Sequence, residues 1–463
     1  MKGNSDKDNF RELHSSVTAV GGRKWMYALK PEGKWYNYRS YISYFYLILF
    51  FTLPFISVGG HPLFQFNILK GEFYFFSVLF TPQDFVMFGL GMLIFIFIVI
   101  VFTMIFGRLF CGWVCPQTIF MEMVFRKIEY WIEGNGNRQK LNDHKEWTTE
   151  LILRKGFKHF IFLLISFAIS ITFLMYIIGE RELFLIIQEP IKDHLTGFIA
   201  LIFFTLVFYA VYAFVREIVC TVVCPYGRLQ GVLVDSHTLS VSYDYVRGEP
   251  RTRQKTEEFG GDCIDCNLCI QVCPTGIDIR NGSSQMECTQ CTACIDACNM
   301  MMAKVKRPLG LIKYASASNI ESLEKFGLTS RVKTFLLILI ALIGLLTLIL
   351  ATRKIVDVTV FKVPGQVLRY NQDGTVSNLY SMKITNKGKL TIPITLVLDQ
   401  PVGIIETIGL KPDSLFTESK IDYLFFITLP VNKSDGRKGK VNIKLMSNSK
   451  QLYSGNLDFI LKL

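Results

Sequence analysis

The chain has 463 residues, half of them hydrophobic, with a mean hydropathy of +0.33 and a formal net charge of +12. It is too apolar for an ordinary soluble protein and long enough for several domains. No basic domain with aromatic platforms accompanies the positive charge, so nucleic acid is not the expected partner; the charge reads as a topology signal and an attraction to anionic membrane lipid.

The first forty residues carry eight Lys and Arg before any apolar run begins. A secretory signal needs a short basic start and an early apolar core, so a cytoplasmic segment over residues 1–40 is expected and no cleaved signal. Five stretches then have the length and lack of charge that a hydrocarbon core of ~30 Å demands: Tyr41 to Val58, Phe85 to Phe106, Phe157 to Ile178, Thr196 to Val215, and Val332 to Ala351. Loops kept in the cytoplasm are enriched in Lys and Arg. Gly59 to Asp84 holds only Lys70, and Gly179 to Leu195 only Arg181 and Lys192, which puts both outside. Gly107 to Glu150 holds six basic residues and Arg216 to Arg331 thirteen, which puts both inside. The outer stretch 59–84 is too apolar for a simple loop and too interrupted to span, and reads as an amphipathic or re-entrant segment. His61, within it, reads as structural.

Cys111 and Cys115 in FCGWVCPQ, and Cys220 and Cys224 in IVCTVVCPYG, each form a C-x3-C-P motif at the cytoplasmic end of a span, the second and the fourth. A separation of four predicts two sulfurs on one helix face, one turn apart, with the proline ending or turning the helix. The two pairs read as an internal repeat. Brought together they would make a four-sulfur site for Cu(I), zinc or a further iron–sulfur cluster. They could also cycle between dithiol and disulfide, with Arg108, Arg216 and Arg228 favouring ionisation. Buried apolar cysteines of a membrane bundle are the plain alternative.

The remaining eight cysteines fall into CIDCNLCIQVCP and CTQCTACIDAC, each reading C-x2-C-x2-C-x3-C. A zinc ribbon or a disulfide framework needs neither the third cysteine nor the x3 step. In the two-cluster bacterial ferredoxin pattern each cubane [4Fe–4S] takes three thiolates from one run and the fourth from the other. The expected sets are Cys263, Cys266, Cys269 and Cys298, and Cys288, Cys291, Cys294 and Cys273. Pro274 follows the first run as that pattern expects, whereas Asn299 follows the second. The run Met300 to Met302 reads as packing beside a cluster.

After the fifth span come short β-like runs, among them VTVFKV, LYSMKIT, LTIPITLVLD, YLFFITLPV, KVNIKLMS and YSGNLDFIL. Their number and turn signals suggest an immunoglobulin-like sandwich. The fold class expected is thus a multidomain integral membrane protein with five transmembrane α-helices, an α+β two-cluster bacterial ferredoxin domain and a C-terminal all-β immunoglobulin-like sandwich. The segments expected are a four-span region over 41–215 carrying the first pair, the second pair and a linker over 216–255, the ferredoxin over 256–310, the fifth span over 332–351 and the outer domain over 355–463.

From KPEGKWYNYRSY through FCGWVCPQTIFMEMVFRKIEYWIEG and REIVCTVVCPYGRLQGVLVD to GDCIDCNLCIQVCPTGIDIRNG and ECTQCTACIDAC, the chain resembles the CcoG family, also called FixG or RdxA, the cytochrome c oxidase accessory proteins of cbb-type oxidases. The resemblance covers most of residues 20–310. It implies a bacterial inner-membrane ferredoxin, its clusters cytoplasmic and its tail periplasmic, that reduces Cu(II) to Cu(I) during oxidase assembly. It further implies that Cys111, Cys115, Cys220 and Cys224 handle copper or relay electrons, and that the partners are oxidase assembly factors, copper chaperones or transporters, and a cytoplasmic electron donor. A homodimer is left open. Membrane ferredoxins of nitrate and nitrous oxide respiration share the C-x3-C-P pairs, so a conduit to a quinone or respiratory reductase is the competing reading, and a non-catalytic assembly scaffold a third.

Overall fold

The computed structural model describes residues 25–463 except 69–70, 81–83, 191, 253–259, 283–284, 323–326, 353–355, 364–367, 372, 387, 389, 400–402, 410–412, 417–418, 431–437, 449 and 462–463. Residues 1–24 of the expected cytoplasmic segment, Lys70, and most of the NKSDGRKGK turn lie outside the described residues. Two compact units divide the chain: residues 1–71 with 88–345, and residues 72–87 with 346–463.

Among the described residues four helices are long and apolar enough to cross a membrane: Val86–Phe106, Thr149–Ile178, Leu195–Val215 and Ser330–Ala351. The first belongs to α2 (Phe85–Phe106), the second is α6 (Thr149–Ile178) and the fourth is α11 (Ser330–Ala351). In the third, α7 (Leu195–Ala210) runs on into a π-helical turn at Val211–Val215. The expected first span is different. Its helix, α1 (Lys34–Thr52), starts seven residues earlier than Tyr41 and ends in a tight turn at Leu53–Phe55, where Pro54 cannot continue the backbone ladder. The stretch from Tyr41 to Thr52 carries no charge and runs roughly 18 Å at ~1.5 Å per residue. The early turns carry Arg39, Ser40 and Ser43, all buried against protein.

Residues 59–84, expected as an amphipathic or re-entrant segment, are not helical over the described part of 59–80. They form short strands, including an antiparallel hairpin of Glu72–Phe75 with Val78–Phe80, because Gly59, Gly60 and Gly71 take positive φ and break any helix.

After α2 come α3 (Leu109–Trp113), then α4 (Pro116–Thr118), which continues through a π-helical stretch at Ile119–Phe125 into α5 (Arg126–Ile132). Beyond α7 a second π-helical turn, Val219–Val223, leads into α8 (Pro225–Leu233). The ferredoxin segment is clamped by an antiparallel pair, β1 (Ser240–Tyr243) with β2 (Ile312–Ala315), in register Val241 to Tyr314. Between them lie α9 (Leu268–Gln271) and α10 (Ala293–Lys304). Val241, Ile277, Ile279, Ile295, Leu311 and Ile312 form one buried core with the cluster cysteines.

The second unit is a sandwich. One sheet runs β6 (Ile404–Ile408), β7 (Lys420–Pro430), β4 (Thr375–Asn386), β3 (Val356–Lys362); the other runs β5 (Thr395–Leu398), β8 (Lys438–Ser447), β9 (Lys450–Ile460). Tyr380, Phe425 and Ile427 from the first sheet meet Val441, Ile443 and Phe459 from the second in a dry core. The predicted strand LTIPITLVLD is divided: Ile392–Pro393 pairs with Ser414–Leu415, while Thr395–Leu398 joins β8. Pro393 has no amide to donate, so the ladder changes partner there.

Candidate metal centres and thiol site

Both C-x2-C-x2-C runs adopt one backbone. Asp265 and Asn267 in the first run, and Gln290 and Thr292 at matching positions in the second, all take positive φ, between 51° and 65°. Four such residues without glycine are a costly arrangement, ~1–3 kcal/mol each, and persist only when their surroundings demand it. The turns direct the thiols of each run inward. Cys263, Cys266, Cys269 and Cys298 line one cavity of about 350 Å³. Cys273, Cys288, Cys291 and Cys294, with Cys269 at the edge, line a second of about 350 Å³. We refer to these as the outer and inner cavities, because Cys266 is exposed whereas Cys288, Cys291 and Cys294 are in close contact with neighbouring protein.

Burial pushes the thiols of Cys269, Cys288 and Cys298 up to about 12. Cys291 is raised too, again by burial first, with the Arg39 charge the strongest opposing influence. Thiols held neutral by an apolar shell become ligands when bound metal supplies the missing positive charge. Among the described residues no three His, Cys, Asp or Glu converge closely enough to hold a single metal ion. The sulfurs surround volumes instead of points, four to each volume, and this donor set fits cubane clusters.

The C-x3-C-P pairs share a second local geometry. Cys111 lies in α3, but Cys115 is extended (φ −58°, ψ 125°) ahead of Pro116, the first residue of α4. Cys220 lies in the π turn, and Cys224 is extended (φ −69°, ψ 114°) ahead of Pro225, the first residue of α8. The expected pair of sulfurs on one helix face is therefore corrected: the residue before proline is driven out of the helical region, so the second cysteine starts a new helix. The repeat is real in atomic detail, since Cys115 N donates to Phe110 O at 2.9 Å and Cys224 N to Val219 O at 2.8 Å, each reaching back five residues.

The segments meet. Gln230, following Cys224, donates from Nε2 to Cys111 Sγ at 3.5 Å, and Thr118, following Cys115, lies 3.9 Å from Cys220 Sγ. Arg108 donates to Gln230 Oε1 at 2.5 Å and to Gly227 O at 2.7 Å. The Cys220 thiol feels the charge of Cys115, Cys111 and Cys224, and with burial leading is pushed up to about 12. Cys111 is also raised, burial outweighing Arg108 and the Gln230 hydrogen bond. Easier ionisation beside arginine is thus overturned for these two thiols. Arg216 is engaged elsewhere, paired with Glu129 and stacked 4.6 Å from the Trp25 ring.

The thiol site rests directly on the inner cavity. A Cβ placed on Gly112 would sit 2.3 Å from Thr289 O and 3.2 Å from Cys291 N, so the CGWVC loop can pack there only with glycine. Trp113 Nε1 donates to Gln290 O at 3.2 Å, and the Gln290 amide, oriented to donate to Phe106 O at 3.0 Å, accepts from Arg108 N at 3.2 Å. Trp35 packs edge-on to both Trp113 and Tyr314 beside the same loop.

Sequence reasoning missed a buried charge network beneath the pairs. Arg126 lies 3.4 Å from Glu122 and 4.0 Å from Glu217; Lys158 lies 3.0 Å from Glu133 and 3.8 Å from Glu129. The signal was present as Glu122, Arg126, Glu129 and Glu133, spaced four, three and four apart in an apolar helix, which puts them on one face. Asp296 on α10 caps α1, accepting from Tyr36 N at 2.8 Å and Trp35 N at 3.3 Å.

Residues 215–317 match the family described as a 4Fe-4S dicluster domain, residues 88–135 a 4Fe-4S binding domain, and residues 346–461 the IG-like fold at the C-terminal of FixG. RdxA of Cereibacter sphaeroides is 34% identical over 362 residues, covering 75% of this chain and 73% of RdxA. The chain belongs to the FixG/RdxA family. The nitrogen fixation protein FixG of Rhizobium meliloti is 33% identical over 312 residues, 64% of this chain and 58% of FixG, and RdxB of Cereibacter sphaeroides is 30% identical over 342 residues, 69% of each. As a FixG/RdxA protein the chain is a membrane iron–sulfur electron-transfer protein with 4Fe-4S ferredoxin domains and a FixG-type immunoglobulin-like tail. The matched segment 88–135 contains only Cys111 and Cys115 as cysteines.

Proposed function

We propose that this FixG/RdxA protein is a cupric reductase, taking electrons from a cytoplasmic donor and delivering them one at a time to Cu(II) at the C-x3-C-P site. Cys263, Cys266, Cys269 and Cys298 hold the outer [4Fe–4S] cluster, and Cys273, Cys288, Cys291 and Cys294 the inner one. Each cluster, when bound, accepts and releases a single electron, which is what one Cu(II) needs to become Cu(I). Soft sulfur from Cys111, Cys115, Cys220 and Cys224 favours Cu(I) over Cu(II) and retains the product for transfer to an oxidase assembly partner. The observation that carries this reading is the packing of Gly112, next to Cys111, against the backbone of Thr289 and Cys291, which sets the loop of the first thiol pair directly on the loop that lines the inner cavity. On this reading the clusters face the cytoplasm and the tail faces the periplasm, with α1 making the first of five crossings.

Anaerobically reduced protein should reduce Cu(II) stoichiometrically. With all four paired cysteines changed to Ser and iron content unchanged, that activity should disappear; full activity would remove these cysteines from the reaction. A reporter fused after Leu463 tests the sidedness, an inside signal being incompatible with five crossings.

One observation favours a second reading, in which a quinol supplies or a quinone receives the electrons. Lys30, Tyr36, Tyr41, Tyr44, Lys127 and Trp131 line a groove of about 1110 Å³ between α1 and α5. Tyr36, at its edge, is hydrogen bonded to the helix carrying Cys294 and Cys298. If a soluble quinone oxidises the reduced clusters and Cu(II) does not, the conduit reading replaces the cupric reductase.

A further inference from the structure

Arg39 is 3% exposed, on the second turn of α1, and its charge reaches the Cys291 thiol. Its Nε donates to Gly112 O at 2.7 Å. Gly112 is the residue whose Cβ position falls 3.2 Å from Cys291 N, so the guanidinium is one residue away from the loop that carries an inner thiolate. Its Nη2 is buried and has no hydrogen-bond partner. Among the described residues no carboxylate lies within ion-pair distance of Arg39. An arginine cannot shed its proton, and a buried cation without a counter-charge costs several kcal/mol. Something negative belongs beside it.

The outer cavity is treated in the opposite way. Arg280 there spends its fork on Asp265 at 2.7 Å, Asp278 at 2.7 Å and Asn267 at 2.7 Å. Two carboxylates offset its charge, which still reaches the Cys269 thiol, and it contributes hydrogen bonds to the loop. The two cavities thus have the same thiolate set and different electrostatics. Cluster potentials follow net charge, hydrogen bonds to sulfur and exposure.

We infer that Arg39 is the counter-charge of the inner cluster, a positioning residue that holds the inner reduction potential above the outer one and so directs electrons toward the paired thiols. The inference rests on the assignment of the eight cysteines to two clusters. When an electron arrives at the inner site, one negative charge is added with no proton, and the fixed guanidinium stabilises it. The unfilled Nη2 donor supplies a charge-assisted hydrogen bond to sulfur. Lys would retain the charge and lose the fork.

The test is an anaerobic EPR redox titration of the full-length protein, with iron and sulfide determined on the same samples. Arg39→Gln should lower one of the two midpoint potentials by at least 59 mV, a tenfold change in a one-electron equilibrium, and leave the other in place. Arg39→Lys should fall by less, and it serves as the informative variant if the Gln protein does not fold. In a Cys266→Ser background, which removes the outer cluster, the shift should persist; in Cys291→Ser it should be absent. Two unchanged potentials at full iron, or two that move together, overturn the role of Arg39. Fewer than two clusters in the unsubstituted protein would instead overturn the ligand assignment, whatever Arg39 does.

Discussion

The outer and inner cavities are built from the same C-x2-C-x2-C turn, the same left-handed positions and the same number of thiols, yet they face different surroundings. The outer one leaves Cys266 exposed and its arginine paired with two aspartates. The inner one is covered by α1, by the CGWVC loop and by Trp35, Trp113 and Tyr314. Chemistry at such sites is therefore differentiated by what packs on the loop, since the ligands themselves are equivalent. On the proposed function the outer cavity would meet the electron donor and the inner one would pass electrons on to the paired thiols.

The strongest way to break this comparison is to remove one cavity at a time. Cys291→Ser should cut iron from about eight to about four per chain or fewer and abolish Cu(II) reduction by protein that has been pre-reduced with dithionite and then freed of it. Cys266→Ser should lose iron similarly but, once pre-reduced and freed of dithionite, still reduce Cu(II), because a small reductant can load the inner cluster without the outer one. Equal losses from the two variants would erase the distinction. Gly112→Val is the next largest. Its side chain must displace the Thr289 carbonyl, an overpacking of ~1–3 kcal/mol that separates the thiol site from the inner loop. Cu(II) reduction should fall about 10- to 100-fold with both EPR signals retained.

Stability measurements sharpen the same contrast. Glu129→Gln strips the carboxylate partner from buried Arg216, while Lys158 keeps Glu133, and should cost about 3–5 kcal/mol, seen as a lower thermal midpoint. Asp296→Ala removes the cap of α1 for about 1 kcal/mol, and should also loosen Arg39 against the inner loop. Asp265→Asn, at the partly exposed outer cavity, should cost under ~1 kcal/mol, since solvent screens its pair with Arg280.

The cysteine sets that line the cavities were readable in the sequence because metal-ligand spacing is a local property of a turn. The helices α2, α7 and α11 were readable because they are apolar on every face. Legibility ended where tertiary contacts decide. Arg39 kept the first turns of α1 out of the span expected from Tyr41, yet Arg39 and Ser43 are both buried. The positions of Cys115 and Cys224 hinged on the proline after each, whose steric effect on the preceding residue outweighs the helical spacing of the pair. The strand Ile404–Ile408, absent from the predicted set, is short and its letters IIETI do not alternate apolar with polar although its exposure does, so its pairing with β7 is set by the sheet it joins. The acidic residues beneath the thiols were visible as letters, but only Arg216 and Lys158, from other helices, give them partners.

Because Cys298 lines the outer cavity and Cys273 the inner one, neither run can finish its own site. A chain that has closed one cavity has already pulled the last thiol of the other into position, and the strained left-handed turns relax their cost together. Filling one site in the unsubstituted chain should therefore ease the filling of the other, so a partially supplied population is enriched in empty and fully loaded molecules. A substitution such as Cys266→Ser leaves the four cysteines of the inner cavity in place, and that site can still fill alone.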